Sequence, residues 1–187
     1  MDEYLSKDEK IFLLKLARNT IMSSLHNDPL PELPKSTLSE KLLIKGAAFV
    51  TLHMRGQLRG CIGNIIATEP LVHSVRNNAL AAAFKDPRFE PVSIKEMEYI
   101  DIEISALTPP EEIDDVEDFE VGKHGIIMQR GFNQAVFLPQ VAPEQGWDKE
   151  TTLLHLSMKA GLPADGWRDP DVKFRVFQAV VFGEKDE

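Results

Sequence analysis

A β-hairpin between Gly46 and Gly63 is the feature that most constrains how this chain can fold. The run GAAFVTLHM, which begins at Gly46, is rich in β-forming residues, the residues Arg-Gly-Gln at 55–57 supply a turn, and LRGCIG returns as a second short extended run. Strands joined by so short a turn pair in antiparallel fashion. The segment therefore favours an antiparallel sheet over a doubly wound parallel one.

Four further segments have the pattern of strands. Apolar and polar residues alternate from Ile100 to Ala106, which is typical of a half-buried strand with one wet face. The runs 125–130 and 135–138 flank Gly131-Phe132-Asn133, so a second hairpin is predicted. The run 173–182 is predicted to be a closing strand.

Helices are predicted between these strands. Ser6 and Glu9 make a capping box for a first helix over 7–26. A second helix is predicted to begin with Thr68 as its cap and to end near Lys85, and a third runs from the cap Asp148 through Lys159. Short strands interspersed with helices predict an α+β fold with a largely antiparallel sheet and flanking helices.

Length and charge limit the function classes. A chain of 187 residues corresponds to a single domain. Its 21 Lys and Arg residues against 30 Asp and Glu residues give a net charge of −9, so nucleic-acid binding is not expected. The acidic segment 111–120 is predicted to be a solvated connection or a short polar helix without a binding role.

The chain shows no signal for secretion, membrane insertion or metal binding. Cys61 is the single cysteine, the first ten residues are charged where a secretory peptide is apolar, and no apolar stretch approaches the ~20 residues of a membrane span. A cytoplasmic protein with no membrane association is predicted. Spacings typical of metal ligands or of phosphate-binding loops do not occur, so no metal site is predicted and no cofactor is indicated.

The segment LRGCIGN at 58–64 is the strongest candidate for chemistry. In an unbroken strand Arg59 and Cys61 point to one side while Leu58 and Ile62 point to the other. A nearby arginine favours the thiolate of Cys61, and the glycines allow close approach of a ligand, so Cys61 is a candidate nucleophile. The alternative is that a free cysteine serves as a small buried apolar residue.

Other candidates lie elsewhere in the sequence. His124, which lies in a glycine-flanked loop, is the candidate base, although such a histidine can equally cap a turn or face solvent. Arg88 either binds an anion or forms a structural ion pair with Asp86. Glu144 lies in a segment that is either a packed loop anchored by Trp147 or part of a cleft. The candidate ligand-binding residues are Arg59, Gly60, Gly63, Asn64, Arg88 and Glu144.

Four motifs in this order resemble the AMMECR family: LRGCIG, DPRF, GKHGI and LPQVAPEQGWDKETTLLHLSMKAG. The resemblance covers nearly the whole chain, 1–187, as a single domain. It implies a two-part α+β architecture in which a larger subdomain holds both chain ends, a smaller one is inserted in it, and a cleft lies between them. It does not imply a particular reaction.

Two functional hypotheses follow from the residues and the resemblance together. In the first, a small anionic ligand binds in the cleft lined by LRGCIG, and Cys61 attacks it with His124 as base. The second starts from bacterial and archaeal family members, which look like the A component of a gene grouping with a Memo-like protein and a radical SAM protein. In that hypothesis the chain is a noncatalytic module that binds such partners.

Overall fold

Two four-stranded antiparallel sheets organise the chain, of which the computed structural model describes residues 4–186. One sheet belongs to a compact unit made of residues 4–107 and 180–186, the larger unit. The other belongs to a second compact unit made of residues 108–179, the smaller unit. Helices flank both sheets, so the predicted α+β class is confirmed.

The elements of the larger unit's sheet and helices are α1 (Lys7–His26), α2 (Glu40–Leu43), β1 (Ala47–Met54), β2 (Gln57–Gly63), α3 (Leu71–Phe84), β3 (Ile100–Leu107) and β8 (Ala179–Gly183), with short 3-10 helices at Lys35–Thr37, Ile94–Tyr99 and Glu184–Asp186. The strand order is β2-β1-β3-β8, which leaves β2 and β8 at the edges. The predicted hairpin is present, and β1 pairs antiparallel with both β2 and β3.

The capping box predicted for the first helix is present. The Ser6 side chain accepts a hydrogen bond from the Glu9 backbone N–H, and the Glu9 carboxylate accepts one from the Ser6 N–H at 2.7 Å. The apolar face of α1, which includes Leu13, Ala17 and Ile21, is fully buried. It packs with α3 against the sheet and forms the main core of this unit.

The two faces of this sheet differ in character. Val50, Leu52 and Ile104 point toward the helices and are fully buried. Between them along the strands, Thr51 and Glu103 point the opposite way, are only half-buried, and lie side by side in the register of β1 and β3. Together with Cys61, which pairs with Thr51, they define what we call the polar face.

The predicted second helix is α3 in the structure, and it begins later than predicted, because its N-cap is Pro70 and not Thr68. The residues before Leu71 are extended and pair with the chain that leads into β1, where the Gly46 N–H donates to the Glu69 carbonyl at 3.0 Å. Backbone committed to this pairing cannot adopt the first helical turn. The tertiary contact therefore overrides a local capping signal.

The elements of the smaller unit are β4 (Glu111–Ile113), a short 3-10 helix (Val116–Asp118), β5 (Gly125–Arg130), β6 (Asn133–Phe137), α4 (Val141–Gln145), α5 (Lys149–Lys159), a second 3-10 helix (Gly166–Arg168) and β7 (Lys173–Phe177). The strand order is β4-β7-β5-β6, with every pair antiparallel. The predicted second hairpin, β5 and β6, and the predicted third helix, α5, are both present, and the Asp148 side chain accepts from the Thr151 N–H at 2.8 Å.

One expectation for this part of the chain holds only in part and another is wrong. The acidic segment 111–120 is largely exposed and includes the short 3-10 helix, as expected, but it also contains strand β4 and the buried Phe119, because its apolar residues have a sheet and a core to join. The closing run 173–182 is not one strand but two, β7 and β8, which belong to different sheets. It breaks at Gln178, whose N–H donates to the Thr108 hydroxyl at 2.8 Å.

Arg18 ties the end of the described chain to the larger unit. Its Nη2 donates to the Glu184 carboxylate at 2.7 Å and to the Ile100 carbonyl at 2.6 Å, and Nη1 donates to the Met97 carbonyl. Glu184 in turn accepts from the Ile102 N–H at 2.8 Å.

No helix in residues 4–186 has the length and apolar character needed to cross a membrane.

We predict that Glu184→Gln destabilises the protein by roughly 2 kcal/mol, because the loss of the Glu184 charge leaves the half-buried Arg18 guanidinium without its ion-pair partner. The measurement is urea unfolding at neutral pH. Glu112→Gln is the matched control, since the Lys173–Glu112 pair is exposed and 3.6 Å long, and its loss should cost at most about 0.5 kcal/mol. Equal losses in both variants would contradict the prediction.

Candidate functional site

Cys61 lies on the edge strand β2 and belongs to the polar face of the larger unit's sheet. It pairs in register with Thr51 of β1, whose hydroxyl donates a hydrogen bond to Sγ at 3.2 Å. The cysteine is half-buried. Its sulfur is therefore positioned by a neighbouring strand and is not sealed in the core as a small apolar residue.

Two side chains from the segment after α3 occupy the outer edge of β2 at Cys61. The Cys61 N–H donates to Asp86 Oδ2 at 2.9 Å, and the Cys61 carbonyl accepts from Arg88 Nη2 at 3.3 Å. An edge strand has an outward row of backbone donors and acceptors that need partners. Asp86 and Arg88 supply those partners here, in the place that a further strand would take.

The Asp86–Arg88 ion pair predicted as the structural alternative is present. Arg88 Nε donates to Oδ1 at 3.0 Å and Nη2 to Oδ2 at 2.7 Å, while the Arg88 backbone N–H also donates to Oδ1. These bonds from Arg88, with that from Cys61, hold the pKa of the Asp86 carboxyl far below its usual range despite burial. Arg88 as an anion-binding group stays a prediction.

The strand alternation expected for LRGCIG is interrupted at Arg59. Gly60 lies opposite Leu52, but Leu58 lies opposite His53, so Arg59 is an extra residue at a β-bulge. The expectation that Leu58 shares the core side with Ile62 is therefore wrong, and Leu58 is 42% exposed. A bulge inserts one residue and so reverses the side on which the preceding residues fall.

Arg59 forms its contacts with Glu96 and Phe89. Its Nε donates to Glu96 Oε1 at 2.9 Å, its guanidinium lies 5.9 Å from the Phe89 ring centre, and only 11% of its side chain is exposed. Arg59 Nη1 is buried and has no hydrogen-bond partner among residues 4–186. The hydrogen bond from Arg59, with further bonds from Ser93, lowers the pKa of Glu96 to about 2.

Three other predicted ligand-binding residues have internal packing roles. A Cβ on Gly60 would lie 2.2 Å from the Ala82 carbonyl oxygen, and one on Gly63 would lie 2.3 Å from the Phe49 ring. The Asn64 side chain accepts from Ser74 and Asn78 of α3 at 2.9 Å and 2.8 Å. Internal contacts therefore account for these residue types without a ligand.

The remaining candidates, His124 and Glu144, belong to the smaller unit, whereas Cys61 belongs to the larger one. His124 Nδ1 accepts from the Glu120 N–H at 3.1 Å, which puts the proton of the neutral ring on Nε2. The ring also lines a pocket of about 160 Å³ in the smaller unit. Glu144 is exposed on α4. The pairing of Cys61 with His124 stays a prediction.

Sequence reasoning did not find Thr51, Glu96 or the role of Asp86 toward Cys61. The antiparallel hairpin offered a signal for Thr51, since only the exact register was needed to place it opposite Cys61. Glu96 lies 37 residues from Arg59, and no local pattern links them. Among residues 4–186, no three His, Cys, Asp or Glu side chains are grouped so as to hold a metal ion.

Comparison with protein families gives a match to the AMMECR1 family over residues 14–182. The chain is similar to the protein MK0488 of Methanopyrus kandleri, with 42% identity over 195 aligned positions that cover all of this chain and 93% of that protein. A protein of Methanothermobacter thermautotrophicus is also 42% identical, and the alignment covers 96% of each chain.

Comparison with solved structures gives a similar fold. The crystal structure of the uncharacterised protein PH0010 from Pyrococcus horikoshii matches with a TM-score of 0.78 and 38% sequence identity. The match covers 98% of this chain and 95% of that one. The whole two-sheet architecture therefore has an experimental counterpart.

We predict that Gly60→Ala destabilises the protein by more than about 2 kcal/mol, because the added methyl group overlaps the backbone of α3. Urea unfolding measures the loss. Gly183→Ala is the matched strand control, since its Cβ would meet its nearest neighbour at 3.5 Å, and it should cost under about 1 kcal/mol. A stable Gly60→Ala protein would favour ligand approach as the reason for this glycine.

We also predict that the Arg59–Glu96 pair makes stability depend on pH. The pKa of Glu96 falls from 4.5 to about 2 on folding. The ion pair therefore contributes fully to the free energy of unfolding above pH 4.5, and this contribution is lost as the pH falls toward 2. The stability gap between wild type and Glu96→Gln should shrink over that range in urea unfolding. Glu98→Gln, an exposed position in the same short helix, should show little gap at any pH.

Proposed function

Because this chain belongs to the AMMECR1 family, we propose that it binds a small anionic ligand on the larger unit beside LRGCIG, with Cys61 as the nucleophile. The observation that carries this proposal is the setting of Cys61: a half-buried thiol on the polar face, with a hydroxyl donor at its sulfur and a guanidinium at its peptide. Such a setting favours a reactive thiol.

Each feature of this setting supports one part of the chemistry. A hydrogen bond from Thr51 to Sγ stabilises negative charge on sulfur, as an attacking thiolate requires. The Arg88 side chain is 54% exposed, so its guanidinium can also donate a charge-assisted hydrogen bond to an anion. The proposal needs only residues of the larger unit. It includes a cytoplasmic location, because a free thiol stays reduced there.

A second candidate is a noncatalytic module that binds a Memo-like or radical SAM protein. It is favoured by the internal roles of Gly60, Gly63 and Asn64, which allow LRGCIG to serve the fold alone. It is also favoured by Phe132, a fully exposed aromatic side chain at the tip of the second hairpin. Copurification with such a partner, lost in Phe132→Ser, would support it over the first candidate.

We predict that Cys61 reacts with iodoacetamide faster at neutral pH in the folded protein than in the same protein unfolded in urea. Cys61 is the only cysteine, so a mass increase identifies its adduct. Cys61→Ser should form no adduct and should keep the hydrogen bond from Thr51, so its stability should change by no more than about 1 kcal/mol.

The opposite pattern would contradict the proposal. A folded protein whose thiol reacts more slowly than the unfolded chain, with a large stability loss in Cys61→Ser, would make Cys61 a packing residue. The second candidate would then stand alone.

A further inference from the structure

Asp86 is a buried charge beside Cys61 that the proposed function does not use directly. Only 2% of its side chain is exposed, yet its carboxylate accepts four hydrogen bonds, one from the Cys61 N–H and three from Arg88. A buried carboxylate with all its acceptor positions engaged has a fixed orientation. Asp86 therefore fixes Arg88 and the Cys61 peptide relative to each other.

This arrangement leaves one edge of the Arg88 guanidinium available. Of its five N–H donors, Nε and both protons of Nη2 are directed at Asp86 and the Cys61 carbonyl. Among residues 4–186, none accepts a hydrogen bond from Arg88 Nη1, and 54% of the Arg88 side chain is exposed. The Phe89 ring, 5.5 Å away, further limits how the group can turn.

Arg88 is also the arginine that contacts Cys61, because its Nη2 donates to the Cys61 carbonyl at 3.3 Å. Its own pKa is raised chiefly by the hydrogen bonds to Asp86. Arg59, which the unbroken strand pattern had paired with Cys61, instead donates to Glu96. The two arginines near LRGCIG therefore have different tasks.

We propose that Asp86 is a positioning residue that holds Arg88 beside Cys61, so that Nη1 of Arg88 binds the carboxylate of a small ligand while Arg59 takes no part. With Nε and Nη2 engaged, an N–H of Nη1 can donate a charge-assisted hydrogen bond to one oxygen of a carboxylate. The proposal rests on the proposed function and specifies its ligand class, a small carboxylate, and the residue that recognises it.

The test compares two alkylating reagents that differ in charge. Iodoacetate carries a carboxylate and iodoacetamide is neutral, and with both the Cys61 thiolate forms an S–C bond as the C–I bond breaks and iodide leaves. The ratio of the two rates, normalised to the ratio in urea-unfolded protein, reports how strongly the folded site prefers an anion. A change in the intrinsic reactivity of the thiol alters both rates and leaves the ratio unchanged.

We expect Arg88→Met to lower this ratio about fivefold, the size of one interaction between unit charges near 4 Å in water, and Asp86→Glu to lower it as well. Asp86→Glu keeps the negative charge, so a fall in the ratio reports the displaced guanidinium and not a change in net charge. Arg59→Met should leave it within about twofold. Arg168→Met is the matched control, because Arg168 forms an exposed ion pair with Glu150 in the smaller unit, and it should also leave the ratio unchanged. If Asp86→Glu does not fold, Asp86→Asn replaces it; because the loss of a negative charge alone would raise the ratio, a fall in Asp86→Asn also reports the displaced guanidinium.

The outcomes separate this inference from the proposed function. An unchanged ratio in Arg88→Met, or an equal fall in Arg59→Met, would overturn the inference while a reactive Cys61 leaves the proposed function intact. A fall in Arg88→Met without one in the folded Asp86 variant would overturn the positioning role. A thiol inert to both reagents in the folded protein would overturn the proposed function, and the inference with it.

Discussion

The buried carboxylate of Asp86 is the contact on which the geometry around LRGCIG depends. Strand β2 lies at the edge of its sheet, so the backbone of Cys61 needs partners that no strand supplies. The Asp86 carboxylate accepts a hydrogen bond from the Cys61 N–H, while Arg88 donates to the Cys61 carbonyl and forms an ion pair with Asp86. The Cys61 backbone, the Asp86 carboxylate and the Arg88 guanidinium each lack a partner if either of the others is removed, so the three form one structural unit.

LRGCIG contains two kinds of residue, which sequence alone presents as one motif. Gly60 and Gly63 allow close packing against α3 and Phe49, and Asn64 joins the end of β2 to α3. Cys61, in contrast, turns its sulfur toward Thr51 on the polar face. A segment with such dense internal contacts can be required by the fold whatever its chemistry, so function has to be argued from Cys61 and its neighbours.

The fold class followed from patterns that are local in the chain. The capping box of α1, the alternation in β3 and both hairpins depend on residues a few positions apart, and the structure has all of them. Where prediction failed, a distant segment competed with the local signal. Pairing of Glu69 with Gly46 displaced the helix start from Thr68, and the Gln178–Thr108 contact divided the final run between two sheets.

The sequence by itself determined the two hairpins, the alternating strand β3 and the long helices, and that Cys61 and Ile62 lie on opposite sides of a strand. Only the tertiary structure decided the partners of the charged residues. A single bulge at Arg59 ended the alternation on which the pairing of Arg59 with Cys61 depended, and the ion pair formed with Glu96, 37 residues away. Side-chain direction follows from sequence only while strand register is unbroken, whereas ion pairing depends on distances set by the packing of remote segments.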